Sequence, residues 1–158
     1  QEDQHNTINV NLKGVNMYPM KTRNRESQVE EFHKAMGSDV SVKPRASLIK
    51  LREKLLIEEC NEVCQELNKM EMAITQGRPI SKKQWAALLK ELADLQYVLS
   101  GTIISFSAIS GSFTPAFNRV HNSNMSKLDD EGNPVYREDG KVTKGPNYKA
   151  PDLSDLIV

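Results

Sequence analysis

The chain of 158 residues carries 21 basic and 21 acidic side chains, and 38% of it is hydrophobic. That composition describes one domain able to bury a core, with no net field to draw it to nucleic acid or to an anionic membrane. No apolar run approaches the roughly 20 residues needed to cross a bilayer, and the polar start QEDQHNTINVN lacks a signal-peptide core, so a cytoplasmic location is expected.

Residues 1–21 are polar and aperiodic and are expected to form a loosely held tail. Ser27 and Glu30 have the spacing of a capping box for a first helix through Val29, Phe32 and Met36, which Gly37 ends. His33 on this helix reads as a partly buried, hydrogen-bonded histidine, with a place near a substrate as the rival reading. Pro44 is expected in the first turn of a second, long helix that Gly77 stops. Ser81 and Gln84 then cap a third helix through Trp85, Leu88, Leu92, Leu95 and Leu99 to about Ile109, with Trp85 as a core or interface anchor. Two long helices joined by so short a turn form an antiparallel pair.

A fourth helix starts at Thr114-Pro115, carries Phe117, Val120, His121 and Met125, and ends near Lys127. Beyond it, Val135-Tyr136-Arg137, the Asp139-Gly140 turn and Lys141-Val142 predict a small β-hairpin, and the Pro-containing KGPNYKAPDLSDLIV predicts an extended segment. The expected fold is therefore a single all-α domain, 1–158: an antiparallel bundle of about four helices with a C-terminal β-hairpin and extended tail over 128–158. Cys60 and Cys64, four apart on one helix, are expected to be reduced core thiols.

The chemistry is concentrated in a quasi-repeat. LIEECNE (56–62) and LLKELAD (88–94) align so that Glu59 matches Glu91 and Glu62 matches Asp94, while Glu58 meets Lys90. At roughly 100° per residue, Glu59 and Glu62 lie about 60° and 120° to one side of Leu56. The expected core stripes are Leu56, Cys60, Val63 and Leu67 on one helix and Leu88, Leu92, Leu95 and Leu99 on the other, with the acids on their flanks. In an antiparallel pair those flanks meet, and four carboxylates converging beside a core repel one another unless cations bind. A ligand set of carboxylates alone favours a hard cation, Mg²⁺ with Mn²⁺ as its substitute. The di-iron carboxylate bundle needs Glu-x-x-His pairs, and the positions three after Glu58, Glu59 and Glu91 are Asn61, Glu62 and Asp94. Mg²⁺ held by few carboxylates shares its coordination with substrate phosphates, which makes a polyphosphate the expected substrate.

The pattern Glu58-Glu59-x-x-Glu62, then Glu91-x-x-Asp94 after residues 63–90, resembles the metal motif of the MazG-like all-α nucleoside triphosphate pyrophosphohydrolases. VHNSNMSK (120–127) and KGPNYKAPDL (144–153) resemble the C-terminal segments of the phage and bacterial members. The resemblance implies hydrolysis of a (d)NTP between its α- and β-phosphates to (d)NMP and pyrophosphate, a house-cleaning of nucleotide pools. It implies Glu59, Glu62, Glu91 and Asp94 as metal ligands, Glu58 as a further ligand or water-activating base, and Asn122, Asn124, Lys127, Lys144 and Tyr148 as nucleotide contacts. It also implies a homodimer or homotetramer. Phosphoribosyl-ATP pyrophosphohydrolases share the acidic helices, but their other segments are not apparent in the chain, so that activity stands as the alternative. A non-catalytic helical interaction or nucleotide-binding module is the remaining reading.

Overall fold

A computed structural model describes residues 24–158; the expected N-terminal tail, 1–21, lies outside the described residues. Helix α1 (Arg25–Ala35) starts earlier than the Ser27 signal implies, because the Asn24 side chain accepts the Ser27 amide at 2.8 Å and takes the cap. It ends where Gly37 adopts φ +67°, a conformation that favours glycine. Helix α2 (Ala46–Thr75) begins after an extended Arg45, so Pro44 precedes the helix instead of forming its first turn. Gly77 closes α2 at φ +69°. Helix α3 (Lys82–Ser105) opens on the expected capping box, with the Ser81 hydroxyl accepting the Gln84 amide and the Gln84 side chain accepting the Ser81 amide.

α3 stops at Ser105, short of the expected Ile109, because Phe106 turns extended and bridges Val42 in parallel. Ser41 and Val42 donate to the carbonyls of Ile104 and Ser105 at 2.7 and 2.9 Å, and Ser107 returns a bond to Val42 at 3.0 Å. The connection between α1 and α2 is thereby fastened to the last turn of α3. Helix α4 (Phe113–Met125) carries Pro115 in its first turn, where a backbone N–H has no helical partner.

α1 and α2 both pack on α3. Val63, Met70 and Leu88 form the central core, with Ile80 and Leu95 against it. Truncating a buried leucine such as Leu88 to Ala costs about 2–5 kcal/mol. The core stripe differs from the expected one. On α2 the buried positions are Leu48, Arg52, Val63, Met70 and Ala73, while Cys60 and Leu67 are exposed. On α3, Leu88 is buried, Leu95 and Leu99 are half-buried and Leu92 is exposed. The seam follows seven-residue steps, Leu56–Val63–Met70 and Arg52–Glu59–Glu66–Ala73, as long helices paired along their length require. The expected stripe shares Leu56 and Val63 with that seam but pairs them with Cys60 and Leu67, on the opposite flank from Glu59 and Glu66. Cys60 and Cys64 are consequently free but exposed, not core thiols. Trp85 is also exposed, so it is no anchor of the core formed by this chain.

The C-terminal β-hairpin does not form. Tyr136 and Val142 make an isolated antiparallel bridge, flanked by Arg137 N donating to Lys141 O at 2.9 Å and Thr143 N to Val135 O at 2.8 Å. The Asp139-Gly140 turn is present, with Gly140 at φ +78°. So short a pairing, with Tyr136 and Val142 exposed, does not extend into strands. The tail then runs along α4 and ends in a 3₁₀ turn, Ser154–Leu156. Arg119 holds Asp155 and the Asp152 carbonyl, Ser112 Oγ donates to Leu156 O at 2.7 Å, and Val158 N donates to Ala108 O at 3.2 Å. No helix among the described residues is long and apolar enough to cross a membrane.

Candidate metal and nucleotide site

Because Glu59 lies in the seven-residue seam, its side chain projects between α2 and α3 instead of flanking them. Glu62 is three residues further along α2, and Glu91 comes from the facing turn of α3. One oxygen from each of these three half-buried carboxylates lies within 4.8 Å of the others. Burial, followed by the charges of Asp94 and Glu58, raises the Glu59 carboxyl above its ordinary value. A hydrogen bond shared with Glu91 raises Glu62, and desolvation and the Glu91 and Glu59 charges add to it. Glu59 Oε2 is buried without a hydrogen-bond partner among the described residues. A buried carboxylate oxygen left unpaired among other acids fits a cation ligand, and three oxygen donors from carboxylates fit Mg²⁺ or Mn²⁺.

Asp94 and Glu58 stand differently. Asp94 is near enough to act on Glu59, but its carboxylate pairs with Lys90 at 2.9 Å and is not one of the three convergent oxygens. Glu58 is exposed, though its charge still reaches Glu59. Lys90, in the sequence only the counterpart of Glu58, stands against the cluster as its counter-charge. Its ammonium also meets Glu91 at 2.9 Å, and the two carboxylates push its pKa upward. The signal was present: Lys90 and Asp94 have the i, i+4 spacing of a helical ion pair.

The expected nucleotide contacts gather at the far end of α4. Lys127 Nζ donates to Asn124 Oδ1 at 2.8 Å, and Lys144 Nζ lies 4.3 Å from the centre of the Tyr148 ring. Segment 144–149 is stitched to that helix end by Gly145 N donating to Lys127 O at 3.1 Å and Lys149 N to Ser126 Oγ at 2.9 Å. Gly145 makes this approach possible, since a Cβ there would collide with the Lys127 carbonyl. Asn124, Lys127, Lys144 and Tyr148 are thus brought together. Asn122 is exposed one turn earlier, its carbonyl capped by Ser126 N at 2.9 Å.

The family model for phosphoribosyl-ATP pyrophosphohydrolase matches residues 29–124. The matched stretch runs from α1 through almost all of α4 and contains the five acids together with Asn122 and Asn124. No curated protein matches the chain. The activity held as the alternative on sequence grounds is therefore the one whose family is found. The matched stretch takes in the acidic helices and most of VHNSNMSK (120–127), whereas KGPNYKAPDL (144–153) lies beyond it. By a match over more than half its length, the chain belongs to the phosphoribosyl-ATP pyrophosphohydrolase family of all-α nucleotide pyrophosphohydrolases.

Proposed function

We propose that the protein is a Mg²⁺-dependent nucleotide pyrophosphohydrolase that adds water across the anhydride between the α- and β-phosphates and releases pyrophosphate. The observation that carries this reading is the convergence of Glu59, Glu62 and Glu91 around an unpartnered, buried Glu59 oxygen. Family membership favours phosphoribosyl-ATP as substrate. Mg²⁺, when bound, polarises the phosphate oxygens and offsets the charge that develops on them. The chain's own residues do the rest. Glu59, Glu62 and Glu91 hold the ion, Asp94 completes the set when it leaves Lys90, and Glu58 at the rim orients or deprotonates the attacking water. Lys127 and Lys144 supply point charges for phosphate, Asn122 and Asn124 amides for the sugar or base, and Tyr148 a stacking face.

A second reading, a MazG-like (d)NTP pyrophosphohydrolase serving nucleotide-pool house-cleaning, rests on the segment docked against α4. Lys144 and Tyr148 lie beyond the matched residues yet pack beside Lys127, where a simple nucleotide's phosphate and base could both be met. Either activity fits a cytoplasmic enzyme. Exposed Ile57, Trp85, Leu89 and Leu92 along α2 and α3 support a homodimer or homotetramer.

The test is to incubate the full chain with phosphoribosyl-ATP and with canonical and modified NTPs, with Mg²⁺ or with EDTA. Pyrophosphate from phosphoribosyl-ATP is expected. Pyrophosphate from NTPs alone selects the second reading, and orthophosphate as the primary product from every substrate defeats the α/β assignment. Absence of turnover on all of them would make the chain a non-catalytic module.

A further inference from the structure

Two turns along α2 from Glu59, a different pocket opens between α1, α2 and α3, and its floor is a buried cation. Arg52 is only 7% exposed. Its Nε donates to Thr102 Oγ1 at 3.2 Å and its Nη2 to the Val98 carbonyl at 3.0 Å, both neutral acceptors. No carboxylate among the described residues pairs with it, and burial alone lowers its pKa. Of its five N–H donors, those on Nη1 have no partner among the described residues. Taking a guanidinium out of water without a counter-charge is costly, and structures that do so usually supply an anion.

The surroundings are shaped for that guanidinium. Gly101 sits inside α3, where glycine costs about 1 kcal/mol of helix propensity relative to alanine. A Cβ there would lie 2.5 Å from Arg52 Nη2 and 3.0 Å from His33 Nε2, so the glycine makes room for both side chains. His33, 6% exposed, has its Nδ1 2.9 Å from the Asp39 carbonyl, which requires Nδ1 to carry the proton. Nε2 is left beside Arg52. At the rim, Asp39 is already neutralised by a bidentate pair with Arg45 at 3.1 and 2.5 Å. Arg52 is therefore the uncompensated charge of the pocket. The cavity has a volume of about 380 Å³, and its opposite wall is the edge-to-face pair Phe32 and Tyr97, 5.6 Å apart. That volume lies in the usual range for small-molecule sites, about 300–1,000 Å³, and exceeds what a bare ion needs.

We propose that this cavity binds a small oxyanion carried on a flat ring, the phosphate or carboxylate held by Arg52 and the ring against Phe32 and Tyr97. None of the five acids of the metal motif lines it, so the site is separate from the one that holds the cation.

The test uses the full chain in EDTA, so that no metal at the acidic cluster recruits phosphate. Phenyl phosphate and benzoate are titrated at constant ionic strength, and the Arg52 Nε–H and His33 imidazole resonances are followed by NMR. Saturable shifts of both are expected, and tighter binding of one probe identifies the anion as phosphate or carboxylate. Arg52→Gln should weaken binding at least tenfold, whereas the double variant Lys127→Met, Lys144→Met should leave it unchanged. Should Arg52→Gln fail to fold, Tyr97→Ala decides: it should weaken phenyl phosphate but not inorganic phosphate. Non-saturating shifts in the wild-type protein overturn the proposal, as do equal affinities in folded Arg52→Gln or loss confined to the double-lysine variant.

Discussion

Lys90 and Glu59 set the charge balance of the acidic cluster from opposite directions. Lys90 ties down Glu91 and Asp94, two of the expected ligands, and so competes with a divalent cation for their oxygens. Lys90→Met should therefore tighten Mg²⁺ binding by roughly three- to tenfold, as expected for removing exposed ion pairs, while lowering the melting temperature in EDTA. Isothermal titration with Mg²⁺ checks this, and unchanged or weaker affinity would mean that Lys90 does not compete. Glu59 is the contrasting case, since its raised pKa means that the folded chain holds a proton there more tightly than the unfolded chain does. Such a group adds stability below its unfolded value and loses it as pH rises through the folded value, so at neutral pH the charged form is a liability without metal. Glu59→Gln should raise the melting temperature in EDTA and abolish both Mg²⁺-dependent stabilisation and turnover. Glu58→Gln, exposed and outside the convergent three, should lose turnover while keeping tight Mg²⁺ binding.

Segment 144–149 and the 3₁₀ turn are held to α4 by different means, and each can be released alone. Gly145→Ala places a methyl against the Lys127 carbonyl and should lift Lys144 and Tyr148 away from Lys127. We expect KM to rise about tenfold, or ~1.4 kcal/mol of binding, with Mg²⁺ affinity unchanged. A parallel loss of Mg²⁺ affinity would indicate general misfolding. The terminal turn depends on Arg119, whose hydrogen bonds to Asp155 hold that carboxyl below its ordinary value of 3.8. A depressed carboxyl contributes its stability above the unfolded value and loses it as pH falls through the lower, folded one. The Ile157 methyl resonances should thus move from docked to free positions only below pH 3.8, and Asp155→Asn should show the free position at pH 7. A docked Asp155→Asn at neutral pH would assign the docking to Leu153 and Leu156, which pack against Phe113 and Phe117.

Those leucines make the tail part of the molecule's core as well as part of its site. Leu153, Leu156 and Ile157 close a cavity of about 410 Å³ against Ile103, Phe113 and Phe117. Deleting residues 153–158 uncovers that surface. Two half-buried leucines at about 1.5 kcal/mol each come to roughly 3 kcal/mol, which at 2–4 °C per kcal/mol lowers the melting temperature by roughly 6–12 °C. Melting curves of the two chains measure it, and an unchanged midpoint would leave the tail a binding element only. Mg²⁺ affinity should survive the deletion, because α2 and α3 hold Glu59, Glu62 and Glu91 without the tail's help.

Helix order, the capping box at Ser81, the glycine stops and the pairing of two acidic heptapeptides were all legible, because each depends on residues a few positions apart. Capping and periodicity are local physics, and a duplicated Glu-x-x-acid pattern stays visible wherever the helices finally turn. Rotation of α2 about its axis was not legible: only packing along the full length of α3 selects which seven-residue seam faces it, and that choice buries Arg52, half-buries Glu59 and exposes Cys60. The expected hairpin failed for a related reason, since alternating residues make strands only where one face is covered, and Tyr136 and Val142 stay exposed. Asp94 illustrates the same division. Its place in the motif can be read from spacing, but its capture by Lys90 depends on which way two side chains turn once α3 lies against α2. The chain alone thus specified two acidic patterns on paired helices, and tertiary packing decided which three carboxylates converge, because convergence depends on helix rotation and ion pairing that no local pattern encodes.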